Sequence, residues 1–241
     1  MYADSSSSPA SPSRQCRAQG TDLTWGFKES FRSYISSSIA DGDWSTSGDA
    51  TYATPHFIWA KGKGAFESGS GTGSVAFEGS ITFTGHDGAL GVTMSDPRVR
   101  VDGESAVLVL DIVSGTMEAA MAGEDDTTTQ SDVPFVTLDL SDAEVDTASG
   151  QTTITVTDAP TTLTTKGEEA FSNYPPGTAF DPISLTITTD SQCRPEMAAA
   201  ASSDPTESDD DGMALAVVGG AGLAVCAGAA TLVLRRRRHA A

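Results

Sequence analysis

The residue with the most evident capacity for chemistry is Tyr34, which lies in the segment WGFKESFRSYISSS at 25–38. Apolar side chains recur in this segment at i, i+4, i+7 and i+8, the spacing of one helix face. They are Phe27, Phe31, Tyr34 and Ile35, and Thr24 is the predicted N-cap. A tyrosine on such a face usually belongs to the core, with its hydroxyl hydrogen-bonded. Spacing alone therefore favours packing over ligand binding at Tyr34.

Histidine is the second side chain of interest, because imidazole binds metals and transfers protons near neutral pH. Upstream of the C-terminal tail the sequence has two, His56 in ATPHFIW and His86 in TFTGHDGAL. Neither belongs to an H-E-x-x-H or C-x-x-C motif, so no zinc site is predicted. His56 is interpreted as a strand or loop residue, and His86, taken by itself, as a turn residue that follows a strand.

Enzyme signatures are weak in this chain. It has no G-x-S-x-G turn of the serine-hydrolase type. The glycine-rich SGSGTGS at 68–74 precedes a strand pattern and not a helix, unlike a phosphate-binding loop. Glycoside hydrolysis needs only two carboxylates, so 33 acidic residues leave that class open as the least favoured alternative. We expect no enzymatic activity.

The elements that must position these side chains are predicted to be mostly strands. SVAFEGSITFTGHDG at 74–88 places apolar residues on one parity and polar residues on the other, as a half-buried strand or tight strand pair requires. Its apolar positions are Val75, Phe77, Ile81 and Phe83. Further strand patterns follow, with two DG pairs as hairpin turns: ALGVTMS, RVRVDG, AVLVLDIVS, PFVTLDLS, TTITVTD and ISLTITTD.

The fold class predicted from this pattern is mainly β. Alternating strands without βαβ units indicate an antiparallel β-sandwich or a partly open barrel, with one or two short helices. One helix is the segment around Tyr34, and GEEAFSNYPPG is predicted to hold a short helix or a loop.

Charge and hydropathy bear on partners and location. The net charge of −19 repels nucleic acid, which excludes that class of partner. Residues 213–234, MALAVVGGAGLAVCAGAATLVL, are uncharged and long enough to cross about 30 Å of hydrocarbon as a transmembrane helix. The basic tail 235–241 follows directly, which predicts a cytoplasmic C-terminus, a single-pass protein in the cell membrane and an extracellular domain.

Composition divides the rest of the chain into three parts. We expect a disordered N-terminal segment at 1–15, a folded domain at 16–194 and an acidic linker at 195–212. An exported domain needs a signal peptide, yet the N-terminal MYADSSSSPASPSRQ has no apolar region. Either a signal peptide lies upstream of Met1 or the chain inserts as a tail anchor by another route, and we favour the first.

The cysteines agree with an extracellular domain. Cys16 and Cys193 stand at the two ends of the predicted domain, where one disulfide would join its first and last segments. Such bonds persist in oxidising compartments, and closing so long a loop stabilises a fold in the chain-entropy model. We predict that the two residues pair. Cys226, within the apolar span, is interpreted as a small apolar filler.

Three segments resemble, in order, the signature blocks of the HtaA-type haem-transport-associated domain of actinobacterial cell-surface proteins. They are LTWGFKESFRSYI, GSITFTGHDGALGVTMSDPRVRVDG and SNYPPGTAFDPISLTI, and the resemblance covers nearly all of 22–190. It implies that Tyr34 is the axial ligand of haem iron and that His86, in the GH block, supports it by hydrogen bonding. It also implies that Ser30, one helical turn before Tyr34, contacts the haem or a propionate.

Physical chemistry agrees with these implied roles. Residues four apart share a helix face, so Ser30 would lie beside Tyr34, and Phe27 and Phe31 become candidate walls of the pocket. Tyrosinate is a hard, anionic donor that favours ferric iron, and a hydrogen-bonded imidazole stabilises the phenolate. The cofactor implied is ferric haem. Candidates for balancing propionate charge are Lys28, Arg32, Arg98 and Arg100.

The function implied is haem transport at the cell surface. The domain would receive haem from host haemoproteins or neighbouring haem-binding surface proteins and pass it to a haem ABC importer. A single protein ligand on the iron suits uptake and release more than oxygen activation. The alternative is a surface adhesion or cell-wall interaction module without haem, in which Tyr34 is only a core residue.

Overall fold

The computed structural model describes residues 14–68, 70–115, 126–190 and 193. The strands begin with β1 Gln15–Trp25, β2 Asp43–Ser47, β3 Ala50–Ala53, β4 His56–Glu67, β5 Gly73–Ala76 and β6 Ser80–Gly85. They continue with β7 Leu90–Asp102, β8 Ser105–Gly115, β9 Thr127–Asp139, β10 Glu144–Ala148, β11 Gln151–Leu163 and β12 Ala179–Asp190. The helices are α1 Glu29–Ile35 and α2 Thr165–Ala170, and a single 3₁₀ turn spans His86–Gly88.

Eight of the strands form a closed antiparallel barrel. Their order is β7-β5-β4-β1-β12-β11-β9-β8, and β8 pairs with β7 to complete the ring. The mainly β prediction, with one or two short helices, is confirmed. Of the two architectures left open by the sequence, the structure has the barrel and not the sandwich. The barrel was expected to be partly open, but hydrogen bonds between β7 and β8 close it. Closure leaves no free edge in the ring.

The remaining strands extend the barrel wall locally. β6 pairs with the first half of β7, and β2 pairs with β6. β3 forms a hairpin with β4, and β10 forms one with β11. The apolar parity predicted for 74–88 is confirmed, because Val75, Phe77, Ile81 and Phe83 are all buried.

The first element of the domain is a strand, which corrects the predicted helix start. Thr24 is not an N-cap: it lies inside β1, where it pairs with Ser184 of β12 and Ile58 of β4. The helix begins only at Glu29, after Lys28 at the N-cap position. The predicted helix therefore began about one turn too early. Phe27 is not helical, because it adopts a left-handed backbone conformation (φ 63°) between β1 and α1.

An aromatic cluster joins α1 to the barrel. The Phe27 ring lies 5.2 Å from Trp25, 5.6 Å from Phe31 and 5.2 Å from Phe83, between ring centres. Phe135 is 6.0 Å away. Because each ring buries a large apolar area, this cluster is the core that α1 rests on.

The predicted disulfide is present. Cys16 at the start of β1 bonds to Cys193, 177 residues later, with 5.4 Å between the Cα atoms. Among the residues that the structure describes, no helix has the length and apolar character of a membrane span. The predicted span 213–234, with Cys226, the linker 195–212 and the tail 235–241 lie outside those residues, as does nearly all of 1–15.

Candidate functional site

Tyr34 and His86 meet at the end of α1. The Tyr34 hydroxyl oxygen lies 2.5 Å from His86 Nε2, and the imidazole tautomer decides which of the two atoms donates the hydrogen bond. Tyr34 is half-buried and His86 is exposed. The phenol therefore has a polar partner and a route to solvent, unlike a tyrosine enclosed in the core.

The backbone holds His86 in place. Its N–H donates a 2.6 Å hydrogen bond to the carbonyl of Ala40. His86 and Asp87 both have left-handed backbone conformations, with φ of 52° and 53°. Such strained conformations cost about 1–3 kcal/mol each and persist where surrounding structure enforces them. The imidazole is thus presented by a fixed turn between β6 and β7.

The loop after α1 connects the two residues. The Ser37 hydroxyl donates to the carbonyl of Tyr34 at 2.6 Å, and Gly42 N–H donates to the carbonyl of Ile35 at 2.9 Å. Gly42 is required for close approach to β6, because a Cβ there would lie 2.0 Å from the carbonyl oxygen of Thr84. The same short loop therefore closes the helix and supplies the carbonyl that fixes His86.

A cleft of about 490 Å³ opens beside the pair. Its volume lies within the ~300–1,000 Å³ range of small-molecule and cofactor sites. Besides Tyr34 and His86, its lining comes from the start of β7 with the residue before it, the end of β8, and the end of α2 with the segment that follows: Ala89, Leu90, Gly91, Val92, Ser114, Gly115, Ala170, Phe171, Ser172 and Asn173. Apolar walls and neutral polar groups thus surround one phenol and one imidazole.

The other predicted pocket residues lie outside that lining. Phe27 and Phe31 are 0% and 2% exposed, and the Phe31 ring lies 6.3 Å from that of Tyr34. They support Tyr34 from the core side. Ser30 is exposed, and its hydroxyl lies 3.0 Å from that of Tyr174.

Each of the four basic residues predicted to balance propionate charge already contacts another group of the protein. Arg32 pairs with Asp181, and Lys28 donates to the carbonyl of Ala179. Arg98 and Arg100 form ion pairs with carboxylates of β8 and β9 on the outside of the barrel wall, at Asp111 and Asp132. None of the four lines the Tyr34 cleft.

Sequence reasoning missed the aromatic wall of the cleft. Phe171 follows α2 directly, lines the cleft and packs 5.1 Å from Phe31, between ring centres. It lies in GEEAFSNYPPG, whose pattern did not show whether the segment is a helix or a loop, or which of its side chains are buried. The available signal was Phe171 itself, since a phenylalanine in a mostly polar stretch seeks an apolar contact.

A second cleft of about 500 Å³ lies on another side of α1. It is lined by Glu29, Arg32, Ser33, Ser36, Trp44, Pro55, His56, Asp181 and Pro182. His56, at the start of β4, belongs to this cleft and not to that of Tyr34. α1 therefore separates two clefts with different chemistry.

Comparisons with known proteins agree with this architecture. The profile of the HtaA family, described as Htaa, matches residues 20–186. The crystal structure of the C-terminal domain of HtaA from Corynebacterium glutamicum is 30% identical with a TM-score of 0.61, covering 72% of this chain and 99% of that domain. The N-terminal domain of the same protein is 27% identical with a TM-score of 0.58, covering 71% and 97%.

A more distant structure shows the same fold. The haem-binding protein HtaB from Corynebacterium glutamicum is 23% identical with a TM-score of 0.53, covering 73% of this chain and 98% of that one. No curated protein matches the chain. Because the family profile spans most of the barrel and more than half of the 241 residues, the chain belongs to the HtaA family.

Proposed function

We propose that this domain binds ferric haem, with Tyr34 as the axial ligand of the iron and His86 as its hydrogen-bonding partner. The observation that carries the proposal is the Tyr34–His86 pair at 2.5 Å, on the wall of a cleft of suitable volume. Membership of the HtaA family, and the naming of HtaB as a haem-binding protein, support the choice of ligand.

The residues of the cleft fit a metalloporphyrin. Tyr34 would hold the iron, while Leu90, Val92 and Phe171 offer apolar surface to the macrocycle. A phenolate is a hard, anionic ligand that stabilises ferric iron, and an imidazole N–H donated to its oxygen favours the ionised form. Bound haem would supply the iron centre, and the protein would supply one ligand, its orientation and an apolar wall.

The wider role we propose is carriage and not catalysis. The extracellular domain, anchored by the C-terminal span, would take haem from host haemoproteins or neighbouring surface binders and release it toward a haem ABC importer. Support comes from the apolar segment 213–234 with its basic tail, and from the predicted single protein ligand, which leaves haem exchangeable.

The test is an optical titration of the 16–194 domain with ferric haem. We expect a Soret band and phenolate-to-iron charge-transfer features in the parent protein and the loss of both in Tyr34→Phe, which removes only the hydroxyl. Tyr52→Phe is the matched control, because Tyr52 is also half-buried and packs against Trp44 and Phe57. Unchanged binding by Tyr34→Phe would reject the ligand assignment, and no binding by the parent would favour the adhesion alternative.

A further inference from the structure

The helix that carries Tyr34 is too short to fix its own orientation. α1 has seven residues, whereas isolated helices shorter than about 12–15 residues are marginal in water. Lys28, at its N-cap position, makes no side-chain capping hydrogen bond. The direction in which α1 presents Tyr34 must therefore be set by contacts from elsewhere in the fold.

Asp181 of β12 supplies the missing cap. Its Oδ1 accepts a 2.9 Å hydrogen bond from the backbone N–H of Glu29, in the first turn of α1. Its Oδ2 accepts a 2.8 Å hydrogen bond from Nη2 of Arg32. A carboxylate at a helix N-terminus also interacts favourably with the helix dipole. One side chain from a distant strand thus holds both the backbone and a side chain of α1.

Arg32 secures the helix to a second element. Its Nη1 donates a 2.7 Å hydrogen bond to the carbonyl of Pro55, in the turn between β3 and β4. The Arg32 and Asp181 side chains are 9% and 20% exposed. Water screens such a pair less than it screens a surface pair, so the pair restricts α1 more firmly.

The position of Asp181 is itself determined by the backbone. Its N–H donates to the carbonyl of Phe27 at 2.9 Å, and its carbonyl accepts from the Trp25 indole at 2.9 Å and the Thr161 hydroxyl at 3.0 Å. Gly26 permits this approach, because a Cβ there would lie 2.4 Å from Asp181 Oδ2. The backbone contacts therefore fix the position of the carboxylate, beside the end of β1 and near the start of β12.

We propose that Arg32 and Asp181 are positioning residues for the Tyr34–His86 pair. Any effect of Arg32 and Asp181 on haem binding rests on the proposed function of Tyr34 as the iron ligand. Arg32 and Tyr34 are two residues apart on α1 and line different clefts. The ion pair thus holds α1 from the side that faces the second cleft, and so keeps the Tyr34 hydroxyl against His86 on the other side. Neither Arg32 nor Asp181 lines the Tyr34 cleft.

The first test uses haem-free protein, so that it does not depend on haem binding. The ring ¹⁵N resonances of His86 report whether the Tyr34 hydrogen bond is present. We expect Asp181→Ala to shift them to the values seen in Tyr34→Phe, while a folded barrel persists. Asp181→Asn, which keeps an acceptor for Glu29 but loses the charge, should give an intermediate shift.

The matched control removes an ion pair elsewhere on the barrel. Arg98 pairs with Asp111 at 3.2 Å between β7 and β8, so Asp111→Ala should leave the His86 resonances unchanged. Unchanged His86 resonances in folded Asp181→Ala would overturn the proposal. If Asp181→Ala does not fold, Asp181→Asn and Arg32→Lys decide, since lysine keeps the positive charge but replaces the two guanidinium nitrogens that contact Asp181 and Pro55 by one ammonium nitrogen.

The second test measures haem dissociation from the loaded protein. We expect Asp181→Ala to lose haem at least tenfold faster than the parent, and Asp111→Ala to match the parent. Equal dissociation rates in Asp181→Ala and the parent would also overturn the positioning role. If the parent binds no haem but Asp181→Ala still breaks the Tyr34–His86 hydrogen bond, the proposed function fails and the positioning of this pair stands.

Discussion

At the residue scale, access and partner distinguish Tyr34 from an ordinary core tyrosine. The aromatic spacing that pointed to packing describes Phe27 and Phe31 correctly, because both are buried. Tyr34 lies on α1, as Phe31 does, yet its ring reaches the cleft and its hydroxyl contacts an exposed imidazole. The aromatic face of α1 therefore combines packing at its start with a reactive group at its end.

His86 should strengthen haem binding without being essential for it. Removing a group that hydrogen-bonds a metal ligand costs about 10–100-fold in metal affinity, so we expect His86→Ala to weaken ferric haem binding by that factor. His56→Ala serves as the control, since His56 is also exposed but lines the other cleft. Competition titration measures both constants, and equal affinity in His86→Ala and the parent would contradict the supporting role.

At the element scale, α1 depends on the aromatic cluster beneath it. The Phe31 ring lies 5.2 Å from Phe83 and 5.1 Å from Phe171, between ring centres. It thus links the helix to β6 and to the segment after α2. Truncating it would leave a cavity at the junction of three elements.

Phe31→Ala should therefore act on stability. Replacing a buried phenylalanine by alanine costs about 3–5 kcal/mol through lost transfer energy and the cavity that remains. The free energy of unfolding in urea measures the loss. Ile39→Ala, in the loop after α1, is the control: its side chain is 73% exposed, so we expect a change within about 0.5 kcal/mol. Similar losses in both variants would contradict the supporting role of Phe31.

The sequence predicted single elements better than their assembly. Alternation identified the buried face of β5 and β6, because side chains in a strand have a period of two. The same alternation fits a sandwich and a barrel, and only the pairing of β7 with β8 decides between them. β7 runs through what looked like two strands, since its register shifts between Ser95 and Arg98 without ending it.

Some residues of the candidate site could likewise be predicted from the sequence, and others could not. The roles of Tyr34 and His86 could be predicted because the family resemblance implies them. The pairing of Arg32 with Asp181 could not, since 149 residues separate the two and nothing local in the chain marks their contact. Phe171 lies in an irregular segment whose side-chain directions follow no period. Contacts that depend on the closed barrel were therefore beyond local pattern reasoning.

At the scale of the whole molecule, the disulfide joins the first strand of the barrel to the residue just beyond the last. β1 and β12 are hydrogen-bonded neighbours in the ring, so the covalent bond reinforces the place where the two ends of the chain meet. Cys16 and Cys193 are both 0% exposed. Their bond should restrict the unfolded chain far more than it alters the folded barrel.

Replacing both cysteines by serine should consequently lower stability and leave the site intact. In the chain-entropy model, removing a cross-link between residues 177 positions apart costs about 5 kcal/mol of unfolding free energy. We expect guanidinium unfolding to show that loss, while haem affinity and the His86 resonances of the folded variant match the parent. Reducing the parent protein should reproduce the effect. A variant as stable as the parent would show that hydrogen bonds between β1 and β12 already hold the ends together, and that the disulfide adds nothing to them.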